Sequence, residues 1–434
     1  MKRILILLLS LTLYCISFSC SPTPDFSEMV VITEEPNEPD PNDPDPSDPN
    51  DPDPNDPDPQ DPVVYPVECA GQIAGSYPCS GYDLMGWLPT ATFGTSRGND
   101  CWGWTDPSNG KEYGIYGLDD GTAFIDISNP SEPIYAAKLI GGSGGASLWR
   151  DIKVYNNFAY VVSEATGHGM QVFDLTELRD IDTANMPFFF EANATYDGFS
   201  TAHNIVINEY SGFAYAVGTN TYGGGAHFID LQNPVNPVGV GGFADVGYSH
   251  DAQVITYNGP DLDYVGHELY IGSNGGSVEI VDVTDKNNPI SVSSISYSDI
   301  SFTHQGWITE NHRFFIVGDE TDELDFGINT RTIILDFTDL DNPQHYFYYS
   351  AISSSIDHNG YVKDDTYYLA SHTAGLRIFD IANIAGSDMT EIGFFDVHPE
   401  DNSTVFTGAW SVYPYFDSGN IIISDYESGG GGYC

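Results

Sequence analysis

The sequence predicts an all-β fold, a seven-bladed β-propeller of four-stranded blades, and three observations predict it. A polar pair returns before an apolar strand at a near-constant interval. Four apolar stretches, divided by turn residues, fill each interval. A second motif repeats in step with the first. Such a period is the signature of a repeat architecture.

The polar pairs are Asn99-Asp100, Arg150-Asp151, His203-Asn204, His250-Asp251, His304-Gln305, His358-Asn359 and Trp410-Ser411. The steps between their first members are 51, 53, 47, 54, 54 and 52 residues. In the third unit the apolar stretches are 203–208, 212–217, 226–230 and 237–243, joined by Gly, Asn, Ser and Pro. Those joints are turn chemistry, and nothing of helical period and useful length intervenes. Tyr 28, Phe 24 and Gly 45 also favour strands and tight turns.

The second motif is hydrophobic-Asp-hydrophobic on each third strand: Asp126, Asp174, Asp230, Asp282, Asp336 and Asp380. A carboxylate before a turn accepts backbone N–H bonds as an Asx-type cap, so these aspartates read as structural. Closure is expected from the ends. The stretch Tyr82 to Pro89 should supply the outer strand of the seventh blade and so abolish an exposed edge. The seventh unit has a first and a second strand and then runs into a glycine-rich end, so that blade reads as incomplete, without a third strand of its own.

Ahead of the propeller at 82–434, three segments are expected. Residues 1–20 carry Lys2-Arg3, an apolar run at 4–13 and Ser17-Phe18-Ser19-Cys20, the layout of an export signal. It resembles a bacterial lipoprotein signal, which implies lipidation of Cys20. Residues 21–62 form an unstructured stalk whose Asp/Pro repeat at 40–62 favours polyproline II, spanning about 70 Å at ~3.1 Å per residue. Residues 63–81 form a small lead-in in which Cys69 and Cys79 are expected to close a disulfide loop. Cys101 falls in an inner strand and is expected as a buried free thiol.

A formal charge of −50 argues against nucleic acid, since little basic surface remains to neutralise phosphates. The expectation is a monomer at the outer membrane or cell surface of a bacterium, attached to the membrane through its N-terminal lipid.

Several motifs in order carry a family resemblance over residues 68–427. They are Gly98-Asn-Asp-Cys-Trp-Gly-Trp104, Trp149-Arg-Asp-Ile-Lys-Val154, Gly167-His-Gly-Met-Gln-Val-Phe-Asp174 and Ala202-His-Asn-Ile-Val-Ile-Asn208, with Ser249-His-Asp-Ala-Gln253, Thr303-His-Gln-Gly-Trp307, Ile356-Asp-His-Asn359 and Gly408-Ala-Trp-Ser-Val-Tyr-Pro414. With these the chain resembles the choice-of-anchor B family, whose repeats are related to the bacterial LVIVD repeat. The resemblance implies a propeller outside the cell and a member-specific anchor. It carries no activity.

In a propeller the inner-strand starts and the turns between second and third strands open on one face. The polar pairs should therefore ring one channel mouth, joined by Glu164, His168, His227, Asp319, Glu320, His372, Asp425 and Glu427 from those turns. Seven of 11 histidines fall on that face. Three readings follow. In one, the imidazoles and amides only cross-bond neighbouring blades. In another, the face binds a glycan or surface protein, with Trp102, Trp149, Trp307 and Trp410 as stacking groups. In the third, His203, His250, His304 and His358, with Asp100, Asp151 or Asp251, hold a divalent metal, zinc or calcium. Arg150 could then hold an anionic substrate group. The acidic run from Asp319 to Asp325 lacks EF-hand spacing and reads as a solvated loop. No His-Glu-x-x-His or phosphate-loop motif is present, and Gly141-Gly-Ser-Gly-Gly145, though it fits Gly-x-Ser-x-Gly, precedes no helix that would make it a nucleophile turn. The sequence thus favours a binding module over the alternative, a metal-dependent hydrolase or lyase.

Overall fold

The computed structural model describes residues 63–426 and, as backbone alone, 430–433. The signal, Cys20, the stalk, Glu427 and Cys434 lie outside the described residues.

Each of the first six repeat units folds as an antiparallel meander. Blade 3 runs Asn204–Asn208, Phe213–Val217, His227–Asp230 and Val238–Gly242, innermost strand first. Blades 1, 2, 4, 5 and 6 begin on inner strands Gly98–Thr105, Arg150–Tyr155, Asp251–Thr256, Thr303–Ile308 and Asp357–Lys363. Local chemistry sets the turns. In blade 2, Asn156 and Asn157 take φ of 49° and 66° between Tyr155 and Phe158, the two-residue turn that matches strand twist. All six motif aspartates accept the N–H two residues on: Asp126 from Ser128 at 3.0 Å, Asp230 from Gln232 at 2.8 Å, and Asp174, Asp282, Asp336 and Asp380 from their partners at 2.9 Å.

The all-β propeller is thus as expected, but the blade count is corrected. Six blades are built from contiguous chain; the last repeat does not make a blade of its own. It contributes Ala409–Tyr413 and Ile422–Asp425 to a composite closing sheet. One correction of detail and one expectation met explain that sheet. The glycine run supplies a third strand after all, Gly430–Tyr433, and Gly86–Pro89 pairs with it antiparallel on the outside. Backbone hydrogen bonding needs no side chain, so a glycine run can still pair.

The closing sheet joins blade 1 where Tyr116 donates its hydroxyl to the Asp425 carbonyl at 2.6 Å. Gly98 makes that reach possible, because a Cβ there would lie 1.6 Å from the Tyr116 hydroxyl. The lead-in is stitched to blade 6, with Tyr77–Ser80 pairing along Thr390–Phe395. Cys69 and Cys79 form the expected disulfide, and Cys101 is buried and free.

The core lies between neighbouring sheets rather than at one centre. Ile115 and Phe124 of blade 1 meet Val161 and Phe173 of blade 2, and Ile205 and Ala214 of blade 3 meet Val162 and Val172 of blade 2. Period-2 strands buried on both faces explain why these strands read as near-continuous apolar runs.

Candidate functional site

The polar pairs converge at the mouth where the inner strands begin. A cleft of about 40 Å³ there is lined by Asp100, Arg150, Asp151, His203, Asn204, His250, His304, His358, Asn359 and Trp410, joined by Trp149 and Glu320. Asp251 and Gln305 are also buried but do not line it.

The pairs divide by chemistry. Carboxylates and amides staple one blade to the next. Asp151 Oδ2 accepts from Ile205 N at 2.7 Å, Gln253 Oε1 from Ile308 N at 2.8 Å and Gln305 Oε1 from Gly360 N at 3.0 Å. Asn359 Nδ2 donates to Ser411 Oγ at 3.2 Å. Lys153 lies between two of the aspartates, 2.7 Å from Asp151 and 3.6 Å from Asp100. Burial alone would raise Asp151, but Lys153 holds its carboxyl below the usual range. Burial pushes Asp100 well up, and burial with the nearby Asp151 pushes Asp251 up to about 7. For these residues the structural reading holds.

The imidazoles instead follow one another around the mouth, each ring tilted by 43–55° to the next. Ring centroids step by 4.0 Å from His203 to His250, 4.4 Å to His304 and 4.2 Å to His358, with His372 4.9 Å beyond. His203 Nδ1 donates to Glu164 at 2.6 Å. His250 Nδ1 donates to the His304 carbonyl at 3.3 Å and His358 Nδ1 to the Trp410 carbonyl at 2.6 Å. Burial holds His250, His304 and His372 well below the usual imidazole range and His358 at about 3, so these rings are neutral. Burial pushes Glu320 up to about 7.

Other expectations are corrected. Arg150 is mostly committed to the fold: its Nε donates to the Leu118 carbonyl at 3.0 Å and its Nη1 to His168 Nε2 at 2.8 Å, while its buried Nη2 has no partner among the described residues. His227 sits on the third strand of blade 3, between Tyr196 at 2.7 Å and Thr221 at 2.9 Å, away from the ring. Trp102 and Trp307 line a cavity of about 400 Å³ at the opposite mouth, with the inner-strand ends and Tyr413 and Tyr415. They follow their polar pairs by two or three residues, which carries them down the channel. The acidic run is not a solvated loop. Asp319 accepts from Ser301 N at 2.9 Å and Phe302 N at 2.7 Å, and Asp322 opens the short helix Asp322–Phe326 and binds Arg331. Asp319, Asp322 and Glu323 are all buried.

Above the cleft lies a bowl of about 360 Å³ walled by Trp149, Tyr248, Phe302, Phe406, Trp410 and Tyr426, with Glu164 and Glu320 among its polar groups. Sequence reasoning missed Tyr248, Phe302, Phe406 and Tyr426. A signal existed: Leu148, Tyr248 and Phe302 each stand two residues before the first member of a polar pair. The period-2 side-chain alternation then gives both the same side.

Two buried histidines outside the ring set an acid response. Burial, then the Arg150 charge, hold His168 at about 4, and burial holds His227 at about 4. The unfolded chain binds a proton near pH 6.5 that the fold refuses. Stability from each is therefore complete above pH 6.5 and is lost as pH falls toward 4. His168 also faces Gln171, and His227 faces Tyr196, Tyr222 and Thr221, none of which carries charge in that window. Between pH 7.5 and pH 5 each site should cost the fold about 2 kcal/mol. His168→Gln, which can still accept from Arg150, should remove that share of the pH slope in urea unfolding. An unchanged slope would contradict the assignment.

The family model for the LVIVD repeat matches residues 119–138 and 148–167, the end of blade 1 and the start of blade 2. The chain carries LVIVD repeats. Among solved structures, one titled hydrazine synthase from Kuenenia stuttgartiensis is similar at 13% identity and TM-score 0.52, covering 75% of this chain and 92% of that one. A β-propeller domain of Cps50 from Myceliophteria thermophila gives 10% identity and TM-score 0.48 over 74% and 93% of the two chains. A protein from Lactobacillus plantarum gives 11% and 0.48 over 76% and 88%. At such identities the likeness concerns the fold alone. A search of curated proteins found no match. The LVIVD stretches span Asp120, Trp149, Arg150, Asp151 and Glu164, so the repeat includes blade 2's contribution to the mouth.

Proposed function

We propose that this LVIVD-repeat propeller is an exported, lipid-anchored surface protein of the choice-of-anchor B type that binds a glycan in the bowl on its histidine face. The observation that carries the reading is the bowl itself: aromatic faces around a floor of imidazoles and carboxylates. Sugar rings offer apolar faces for stacking and hydroxyls for such polar groups. A volume of about 360 Å³ suits one or two sugar rings rather than a flat protein surface. Trp149 and Tyr248, 39% and 44% exposed, are available to a ligand. The export signal and the Asp/Pro stalk support presentation away from a lipid surface at Cys20. Among the described residues no helix is long and apolar enough to cross a membrane.

The hydrolase or lyase alternative is not favoured. Arg150, the group available for an anionic substrate, is buried and gives two of its three nitrogens to Leu118 and His168. The test is a glycan array probed with the full chain, followed by titration of any hit. Trp149→Ala and Tyr248→Ala should each weaken the hit at least tenfold at unchanged unfolding midpoint. No hit, or a hit indifferent to both substitutions, contradicts the glycan reading.

A further inference from the structure

We propose that the floor of the bowl is a binding site for one borderline divalent transition ion, with Glu320, His304 and His358 as its inner ligands and His250 and His372 as flanking donors. This differs from the four-histidine set expected from the repeat, because the ligand atoms grouped around Glu320 are those of His250, His304, His358 and His372, and His203 is not among them. The proposal stands apart from the glycan reading, since the metal is measured without sugar.

Geometry carries it first. Glu320 Oε1 lies 3.7 Å from His304 Nε2 and 3.7 Å from His358 Nε2. That is too long for a hydrogen bond. Two donors at ~2.1 Å from one tetrahedral ion stand roughly 3.4 Å apart, so 3.7 Å is close to the spacing an ion imposes. Ligand atoms of His250, His304 and Glu320 lie within 4.8 Å of one another, as do those of Glu320, His358 and His372. The carboxylate is common to both groups.

Unpartnered donors are the second, independent observation. His304 and His372 are 2% and 0% exposed. Both ring nitrogens of His372 have no hydrogen-bond partner among the described residues, whereas the unpartnered nitrogen of His304 is Nδ1 and its Nε2 is the one that faces Glu320. A buried imidazole left so costs stability unless something binds it. His358 shows the complementary arrangement: its Nδ1 proton goes to the Trp410 carbonyl, which fixes the tautomer and leaves the Nε2 lone pair toward Glu320. Ligating histidines are oriented by such outer hydrogen bonds.

The donor set selects the ion. Imidazole nitrogens with one carboxylate suit zinc, cobalt, nickel or copper, whereas calcium and magnesium require oxygen shells. The calcium half of the earlier expectation therefore has no support here. A cleft of about 40 Å³ admits one ion, and the aromatic bowl leaves its outer side open to a further ligand.

The experiment uses the full chain purified without a histidine tag and stripped with chelator. Calorimetric titration with zinc, checked by elemental analysis, should give one ion per chain. Cobalt should give the visible bands of a low-coordinate site. Glu320→Gln and His304→Asn should each weaken zinc at least 100-fold and abolish the cobalt bands, with strand circular dichroism retained. Tyr210→Ala, in the turn after the blade 3 inner strand and 87% exposed, should leave the zinc stoichiometry unchanged. If Glu320→Gln fails to fold, His304→Asn and the wild-type stoichiometry decide. No stoichiometric zinc in the wild type, or zinc binding unchanged in the variant that folds, overturns the proposal.

Discussion

Asp151→Ala should destabilise the propeller by about 3–5 kcal/mol, measured as urea unfolding free energy at pH 7.5. Asp151 accepts the Ile205 N–H at 2.7 Å and pairs with Lys153 at 2.7 Å, and all of these groups are buried. Its removal orphans a buried backbone donor between blades 2 and 3 and leaves a buried ammonium with its partner gone. Asp100, 3.6 Å from Lys153, is the available substitute, and burial holds its carboxyl protonated well above the usual range. Asp151→Asn should therefore cost about half as much, because the amide oxygen still serves Ile205 while Asp100 ionises beside Lys153. Losses within about 1 kcal/mol for both variants would contradict the stapling role.

Arg331→Met is the second large effect, again about 3–5 kcal/mol. Its guanidinium binds Asp322 at 2.8 Å, donates to the Ser298 and Asp299 carbonyls at 3.1 and 2.7 Å, and lies 4.8 Å from the Tyr348 ring centre. Asp319, Glu323 and Asp357 are buried close by, so removing the cation leaves a carboxylate cluster without its counter-charge. Adding Asp322→Asn should recover part of the loss, giving a non-additive double-mutant cycle. Strict additivity would show that Arg331 acts through its carbonyl bonds and ring packing alone.

The two cases mark where the sequence was legible. Period and turn chemistry are local, so the propeller, the six Asx caps and the strand boundaries could be read without coordinates. The mouth was legible because strand starts repeat in step with the fold. What failed was direction and depth. Trp102 and Trp307 stand close to their polar pairs in sequence, yet at ~3.3 Å per residue a few positions along an inner strand lead from one mouth toward the other. The run from Asp319 to Asp325 looks solvated by composition, but Arg331 and the backbone of Ser301 and Phe302 draw it inside. A run of like charges does not reveal the distant cation or the donors that will meet it. The blade count failed for a related reason. A repeat start at Trp410 announces a blade, whereas the last repeat supplies only part of a closing sheet, whose outer strand Gly86–Pro89 was the part the sequence did anticipate.

The central claim is that the repeated pairs serve two ends: carboxylates and amides hold blades together, while the imidazoles of the mouth serve a ligand. Urea unfolding of His372→Leu in metal-free full chain tests it most directly. His372 is buried with both nitrogens unpartnered among the described residues, and Leu has similar volume. If the ring is there for a ligand, the substitution should leave stability unchanged or raise it by about 1 kcal/mol, since an unsatisfied polar group is removed. A loss of about 2 kcal/mol or more would show that the histidine supports the fold and would contradict the account.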